Sequence, residues 1–308
     1  MRIAVWGGGS LGLLWSARLA SKFDHLLLVT HSERQADAIN RAGIDLTNQA
    51  GEQKNLKVRA KQADLVMEDA PFDMILVMVK QYHLPVVFAL LQKAVHPGTQ
   101  VLFFQNGWGH QTLLQELSSS CRTYLVVTTE GALKCGDQQV IHTGKGISRV
   151  GAFPGKQAEP SPALQELFVK TGPGLFQYDE NVLQRVWEKL TINCVINPMT
   201  AWYEIRNGEL LNPEYEEEKK AILAEVIHVA SLEGIQLSEQ HMWKQIQQVC
   251  LQTAMNLSSM LQDLNNKRVT EIDFMNGAIV RLGKKHRVET PANWLWVSRI
   301  QEKEKFML

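Results

Sequence analysis

The chain has 308 residues, 45% hydrophobic and 21% charged, which suits a soluble globular protein of two domains better than one. Lys+Arg and Asp+Glu are each 32, so the formal charge is zero, and neither nucleic acid nor an anionic membrane surface is an expected partner. Cys121, Cys135, Cys194 and Cys250 are dispersed without a C-x-x-C pair, and the histidines lack ligand spacing, which argues against a disulfide framework and against a metal. No apolar run has the length of a membrane span, and Met1 leads directly into a strand, leaving no room for a signal peptide, so a cytoplasmic protein is expected.

The first half alternates short buried strands with helices. Residues 2–6, 26–30, 74–79, 101–104 and 124–129 are compact runs rich in Val, Ile, Leu and Phe, apolar on both faces as a parallel sheet covered by helices requires. Between the first two, Leu11, Leu14, Trp15, Arg18 and Leu19 recur at helical spacing. The order β-α-β predicts a doubly wound sheet, an α/β Rossmann-type domain over residues 1–180.

Gly7-Gly8-Gly9-Ser10-Leu11-Gly12 matches G-x-G-x-x-G, and it follows a strand and opens a helix. Gly7 permits the tight turn, Gly9 lets the backbone approach a pyrophosphate, and Gly12 allows close helix–strand packing, so a dinucleotide is expected at the helix N-terminus. The second strand ends in Thr30-His31-Ser32-Glu33-Arg34 rather than in the Asp or Glu that holds NAD ribose hydroxyls. A cation close behind the strand favours NADP, although Glu33 would occupy the acidic position if the strand ran longer. Lys80 and Asn106-Gly107 follow the third and fourth strands on the same sheet edge. They are read either as cofactor contacts or as an ordinary strand end and turn.

After about Gly151, Pro154-Gly155, Pro160-Ser161-Pro162 and Thr171-Gly172-Pro173-Gly174 mark surface turns. From about Asn181 nearly everything reads as helix, including 214–232, 239–264 and a segment beginning at Thr270, which makes 181–308 an all-α domain. Within residues 187–198, Lys189, Asn193 and Asn197 fall four apart on one helix face, interleaved with Leu190, Ile192, Cys194, Val195 and Ile196. Asn is a poor helix former, so the stripe reads as a polar wall for a small ligand or as a buried structural network. A third reading is a helix end, since Asn197 precedes Pro198, where the helix stops or kinks. Asn256 and Ser259 sit three apart and can share a face of the 239–264 helix. Thr270 reads as an N-cap with Glu271 and Asp273 in the first turn, carboxylates that the helix dipole suffices to explain.

In residues 7–12 with Leu14-Trp15, Val79-Lys80, Asn106-Gly107, residues 187–201, Asn207-Gly208-Glu209-Leu210, residues 256–263 and residues 270–277, the chain resembles the ketopantoate reductase (2-dehydropantoate 2-reductase) family. The resemblance implies an N-terminal Rossmann domain, a helical C-terminal domain with a cleft between them, and NADPH as cofactor. It implies hydride transfer to the C2 ketone of 2-dehydropantoate, giving pantoate for pantothenate and coenzyme A biosynthesis. Lys189 would be the general acid. Asn193, Asn197, Asn207, Asn256 and Ser259 would position substrate, and Glu271 would touch substrate or cofactor. Lys80 and Asn106 would help hold NADPH. His31 stands near the place of the residue that reads the 2′-phosphate, with Arg34 a few positions on. Competing expectations are a reductase of another branched 2-oxo acid and a non-catalytic NADP-binding sensor. A homodimer through the helical domain is compatible with the sequence but not demanded by it.

Overall fold

The structure is a computed structural model that describes residues 1–307. By its contacts the chain divides into two compact units, Met1–Gln105 with His110–Leu183, and Asn106–Gly109 with everything from Gln184.

The first unit is built in chain order from β1 (Arg2–Trp6), α1 (Ser10–Ala20), β2 (His25–Thr30), α2 (Glu33–Ala42), β3 (Ile44–Thr47), β4 (Gln53–Leu56), β5 (Arg59–Gln62), β6 (Met74–Val77), α3 (Leu84–Ala94), β7 (Gln100–Phe103) and α4 (Gln111–Leu117). It continues with β8 (Arg122–Thr128), β9 (Gly131–Lys134), β10 (Gln139–Gly144), β11 (Ser148–Ala152), α5 (Pro162–Thr171) and β12 (Phe176–Tyr178). The main sheet runs β12-β11-β8-β7-β6-β1-β2-β5, parallel throughout except where β11 pairs antiparallel with β8. The segment β5-β2-β1-β6-β7-β8 has the strand order of a dinucleotide-binding sheet, with its reversal at β1 and β6. Every residue of β6 and β7 is buried, as the apolar runs in the sequence require of strands covered on both faces. Trp15 on α1 anchors the helix side, its ring 4.6 Å from Phe176 and 6.1 Å from Phe104.

A second sheet, β4-β3-β10-β9, was not visible in the sequence. Its strands are short: β4 (Gln53-Lys54-Asn55-Leu56) is largely exposed and carries no apolar pattern, and the alternation of β3 (Ile44-Asp45-Leu46-Thr47) spans only four residues. The sheet is joined to α1 through a buried ionic cluster. Arg18 on α1 lies 2.9 Å from Glu130 and 3.1 Å from His142 Nε2, and Glu130 lies 2.8 Å from His142.

The second unit is carried by α6 (Val182–Tyr203), α7 (Glu216–Leu232), α8 (Glu239–Gln252), α9 (Ser259–Asn265), α10 (Asn276–His286) and α11 (Pro291–Met307). Trp187, Leu190, Cys194, Val195, Ile196 and Met199 of α6 are buried, and α10 packs on α7 and α11. The helices depart from the sequence pattern in three places, one an alternative excluded at Pro198 and two expected helices that are interrupted or delayed. Helix α6 does not stop at Pro198 but runs through it to Tyr203. Proline cannot donate to the carbonyl four residues back, that of Cys194, and an interior proline costs about 3 kcal/mol in an unaided helix. The side chain of Asn276 makes good the loss: its Nδ2 donates to Cys194 O at 3.0 Å and to Asn293 Oδ1 at 3.0 Å, and both asparagines are fully buried. Replacing Asn276 by Leu is therefore expected to cost about 2–4 kcal/mol, since it strands a buried carbonyl and a buried amide oxygen. Urea unfolding with an unchanged denaturant slope measures it, and an unchanged midpoint would show that α6 needs no such support.

The expected 239–264 helix is broken at 253–258. Ser258 caps α9, its Oγ accepting from Leu261 N–H at 3.2 Å. The carbonyls of Ala254 and Asn256 accept the N–H groups of Gly208 (3.2 Å) and Asn207 (3.0 Å), so this stretch pairs with the 3-10 turn Asn207–Leu211 rather than with itself. Asn256 thus precedes α9 instead of sharing a helix face with Ser259. Thr270, likewise, does not open a long helix. Its Oγ1 accepts from Ile272 N–H at 3.2 Å ahead of a single 3-10 turn, Ile272–Phe274, and α10 begins at Asn276.

Candidate functional site

In the first unit the glycine loop joins β1 to α1. Gly7 has φ +120°, and its backbone lies against that of Met78 and Val79, where a β-carbon would stand only 2.9 Å from Met78 C. A β-carbon on Gly12 would overlap the Gly7 carbonyl oxygen, so α1 sits as close to the turn as glycine allows. Gly9 is different: nothing lies within 4 Å of where its β-carbon would stand. It is the N-cap of α1, with no side-chain cap and no acidic residue in the first turn. Donors and dipole at Ser10 and Leu11 therefore face an approach kept open and free of negative charge, which fits a pyrophosphate.

Two residues that sequence reasoning missed brace this loop. Gln35 Nε2 and Lys134 Nζ both donate to Gly8 O, at 2.8 and 3.0 Å, and Lys134 N–H donates to Ser10 Oγ at 3.1 Å. Lys134 arrives from β9, a strand with no sequence signal. At the end of β2, Ser32 caps α2 by accepting from Gln35 N–H at 3.3 Å. The strand ends at Thr30 and Glu33 is the first, exposed residue of α2, so it is not the acidic strand end that holds ribose hydroxyls. His31 stands directly after β2. Arg34 is largely exposed and paired with Asp137 at 3.1 Å. Lys80 is the residue before the 3-10 turn Gln81–His83 that follows β6.

The second unit gathers Lys189, Asn106 and Glu271. Gly107 has φ +82°, and a β-carbon there would overlap Phe274 O, while Trp108 N–H donates to that same carbonyl at 2.7 Å. This clamps the Asn106-Gly107-Trp108 loop to the turn that carries Glu271, and the Trp108 ring lies 5.4 Å from Trp187 on α6. Lys189 Nζ donates to Asn106 Oδ1 at 2.7 Å. The residue keeps some exposed surface, but its ammonium is enclosed by protein. Burial lowers its pKa to about 8, against a smaller upward pull from the Glu271 carboxylate. Glu271 is 3% exposed. A buried carboxylate ahead of one 3-10 turn is not explained by the dipole of a solvated helix, so the capping reading does not account for it.

Below Lys189 on α6, Asn193 is half-buried and Asn197 is buried, with its Nδ2 3.6 Å from Met275 Sδ. Asn207 is buried, and its Nδ2 donates to Thr253 Oγ1 at 2.9 Å. Its Oδ1 accepts nothing among the described residues. Its backbone bond to Asn256 O and the Thr200–Ser258 hydroxyl contact at 2.8 Å tie the start of α9 to the far end of α6. Asn256 and Ser259 are exposed. Among the described residues no group of His, Cys, Asp and Glu is arranged to hold a metal ion, and no helix is long and apolar enough to cross a membrane.

An open, mostly parallel sheet with a glycine loop at its strand reversal is the architecture of a dinucleotide-binding protein. Residues 3–155 match the family model described as ketopantoate reductase PanE/ApbA, and residues 181–304 match that of its C-terminal domain. The chain belongs to the ketopantoate reductase family. A 2-dehydropantoate 2-reductase of Vibrio cholerae serotype O1 is 32% identical over 305 residues, 99% of this chain and 98% of its own length. The crystal structure of a probable 2-dehydropantoate 2-reductase from Bacillus subtilis is similar at TM-score 0.84 and 30% identity, covering 98% of this chain and 100% of that one. The ternary structure of D-mandelate dehydrogenase with NADH and anilino(oxo)acetate has TM-score 0.91 at 23% identity, covering 100% and 99%, a likeness of fold.

Proposed function

We propose that this enzyme reduces the C2 ketone of 2-dehydropantoate to pantoate with NADPH, a step of pantothenate biosynthesis, with Lys189 as general acid. The observation that carries the reading is the Lys189 ammonium, enclosed by protein, 2.7 Å from Asn106 Oδ1 and in the field of Glu271. NADPH, when bound, supplies the hydride. Residues 1–180 hold it, through Gly7, Gly8, Gly9, Ser10, Leu11 and Gly12 at the pyrophosphate and through His31, Lys80 and Asn106, with Arg34 nearby. Residues 181–308 hold the substrate.

Negative charge develops on the ketone oxygen during reduction. A compact ammonium stabilises that charge and then supplies the proton, and a pKa near 8 leaves Lys189 mostly protonated yet able to donate at neutral pH. Asn106 fixes the direction in which the ammonium points. Glu271 keeps it charged and, at the substrate's terminal hydroxyl, can accept a hydrogen bond. Asn193, Asn197, Asn207, Asn256 and Ser259 offer amides and hydroxyls that hold hydroxyl and carboxylate groups without adding net charge.

NADPH oxidation measured against a panel of 2-oxo acids tests the assignment, and 2-dehydropantoate is expected to give the highest kcat/KM. A higher value with another branched 2-oxo acid would transfer the enzyme to that substrate, and binding without oxidation of any member would make it a sensor. The pH profile follows from the same lysine. The protonated form acts in reduction, so kcat/KM is expected to be constant below the free-enzyme pKa and to fall as pH rises through about 8. Pantoate oxidation should rise over the same interval. Glu271→Gln removes the charge that raises the lysine pKa and should move the falling limb to lower pH. A limb that stays in place would detach Glu271 from Lys189.

A further inference from the structure

The rings of His31 and His83 stack, with centroids 6.2 Å apart and planes within 20° of parallel. His31 directly follows β2, and His83 closes the turn after β6. Because β2 and β6 flank β1 on opposite sides, the two imidazoles meet across the end of the strand that carries the glycine loop. Their position is where an adenosine ribose lies when a dinucleotide occupies a sheet of this order. It is also where Asp or Glu would stand in a site built for an unphosphorylated ribose, and here His31-Ser32 occupy that place.

We propose that His31 and His83 together form the anion site for the 2′-phosphate of the dinucleotide, so that the proton occupancy of the pair sets how strongly NADPH is preferred over NADH. This rests on the NADPH reading given above, and His83 is the residue it adds. A guanidinium or ammonium carries its charge at every physiological pH, whereas imidazole charges only around pH 6–7. Two stacked imidazoles also resist holding two protons at once. His83 is exposed, yet partial desolvation and then the charge of His31 hold it below the ordinary histidine range. A phosphate dianion reverses that repulsion and draws a proton onto the pair.

Glu33 and Arg34 head α2, and Arg34 is paired with Asp137 at 3.1 Å. On β5, beside β2, Lys61 is paired with Glu68 at 2.5 Å and Asp69 at 2.7 Å. After β6 stand Lys80 and Tyr82, whose ring lies 4.5 Å from that of His83. A lysine ordinarily stays charged across this pH range, so a lysine beside the phosphate would add affinity without pH dependence.

Direct binding decides the matter without turnover. Dissociation constants of NADPH and NADH for the full chain are measured by nicotinamide fluorescence from pH 6 to pH 8, in the wild type, His31→Gln, His83→Gln and the double variant. The ratio Kd(NADH)/Kd(NADPH) is expected to fall about tenfold or more across that range in the wild type, and to be small and flat in the double variant. His83→Gln alone should remove most of the pH dependence. The ligand cannot produce this fall, because the second ionisation of a phosphate near pH 6 makes it more anionic as pH rises. Calorimetry in two buffers of different ionisation heat should show proton uptake near pH 7 with NADPH and none with NADH. A wild-type ratio that favours NADPH equally at all pH values, or a ratio untouched by His83→Gln, would overturn the pair while leaving the NADPH reading intact. A wild type that prefers NADH throughout would overturn both.

Discussion

Lys189→Ala is expected to lower kcat for ketone reduction by about two or more orders of magnitude while NADPH still binds. The size follows from the chemistry lost. With alanine, no cation faces the developing oxyanion and water must supply the proton, and a hundredfold loss corresponds to about 2.7 kcal/mol of transition-state stabilisation. The fold should survive. Removing Lys189 relieves its own desolvation cost but leaves the buried Glu271 carboxylate without this cation, so a lower melting temperature with the fold intact is expected. Circular dichroism and NADPH fluorescence separate the two effects. Unchanged folding and cofactor affinity with collapsed turnover assigns Lys189 to the chemical step. Turnover near that of the wild type would remove it from the mechanism. Loss of cofactor binding would make it a structural support for the Asn106 loop.

How much of this was legible in the sequence depends on whether a residue acts locally or at long range. The parallel sheet was legible because its strands are buried on both faces and so carry continuous apolar runs, as in β6 and β7. The glycine loop was legible because three glycines with three different steric duties fall within six residues of a strand end. The Lys189–Asn193–Asn197 stripe was legible as a shared face, since helical spacing alone fixes that. What spacing does not encode is the carbonyl that Pro198 orphans and the Asn276 that answers it, 82 residues away. The helix break at 253–258 was hidden for a related reason. Apolar residues such as Ile246, Cys250, Met260 and Leu264 keep recurring across it, and only the pairing of Ala254 and Asn256 carbonyls with the Asn207 turn explains why the helix yields. Gln35, Lys134 and His83 each acquire meaning from a contact across the sheet or between sheets, and nothing in their own neighbourhoods marks them.

The glycine loop gives the second large effect, through a pair of alanine variants whose results should diverge. At Gly12 the new methyl carbon would overlap the Gly7 carbonyl oxygen, so α1 must retreat from the turn. Overpacking of this kind costs about 1–3 kcal/mol, and Gly12→Ala is expected to lose both stability and NADPH affinity. At Gly9 the methyl carbon meets nothing within 4 Å, and φ −79° with ψ −171° is extended backbone open to alanine. Gly9→Ala should therefore unfold within about 0.5 kcal/mol of the wild type. Its methyl group would nonetheless occupy the approach to the N-terminus of α1, where a pyrophosphate must come within hydrogen-bonding distance of the backbone. NADPH affinity is expected to fall at least about tenfold, which is about 1.4 kcal/mol of binding free energy. Urea unfolding and fluorescence titration of both variants provide the comparison. If Gly9→Ala binds NADPH as tightly as the wild type, the opening beside Gly9 does not receive the pyrophosphate and the loop serves only to pack α1 against β1. If it binds more weakly at unchanged stability, the two glycines have been separated by function: Gly12 keeps the helix close, and Gly9 keeps the space above its first turn clear for the anion.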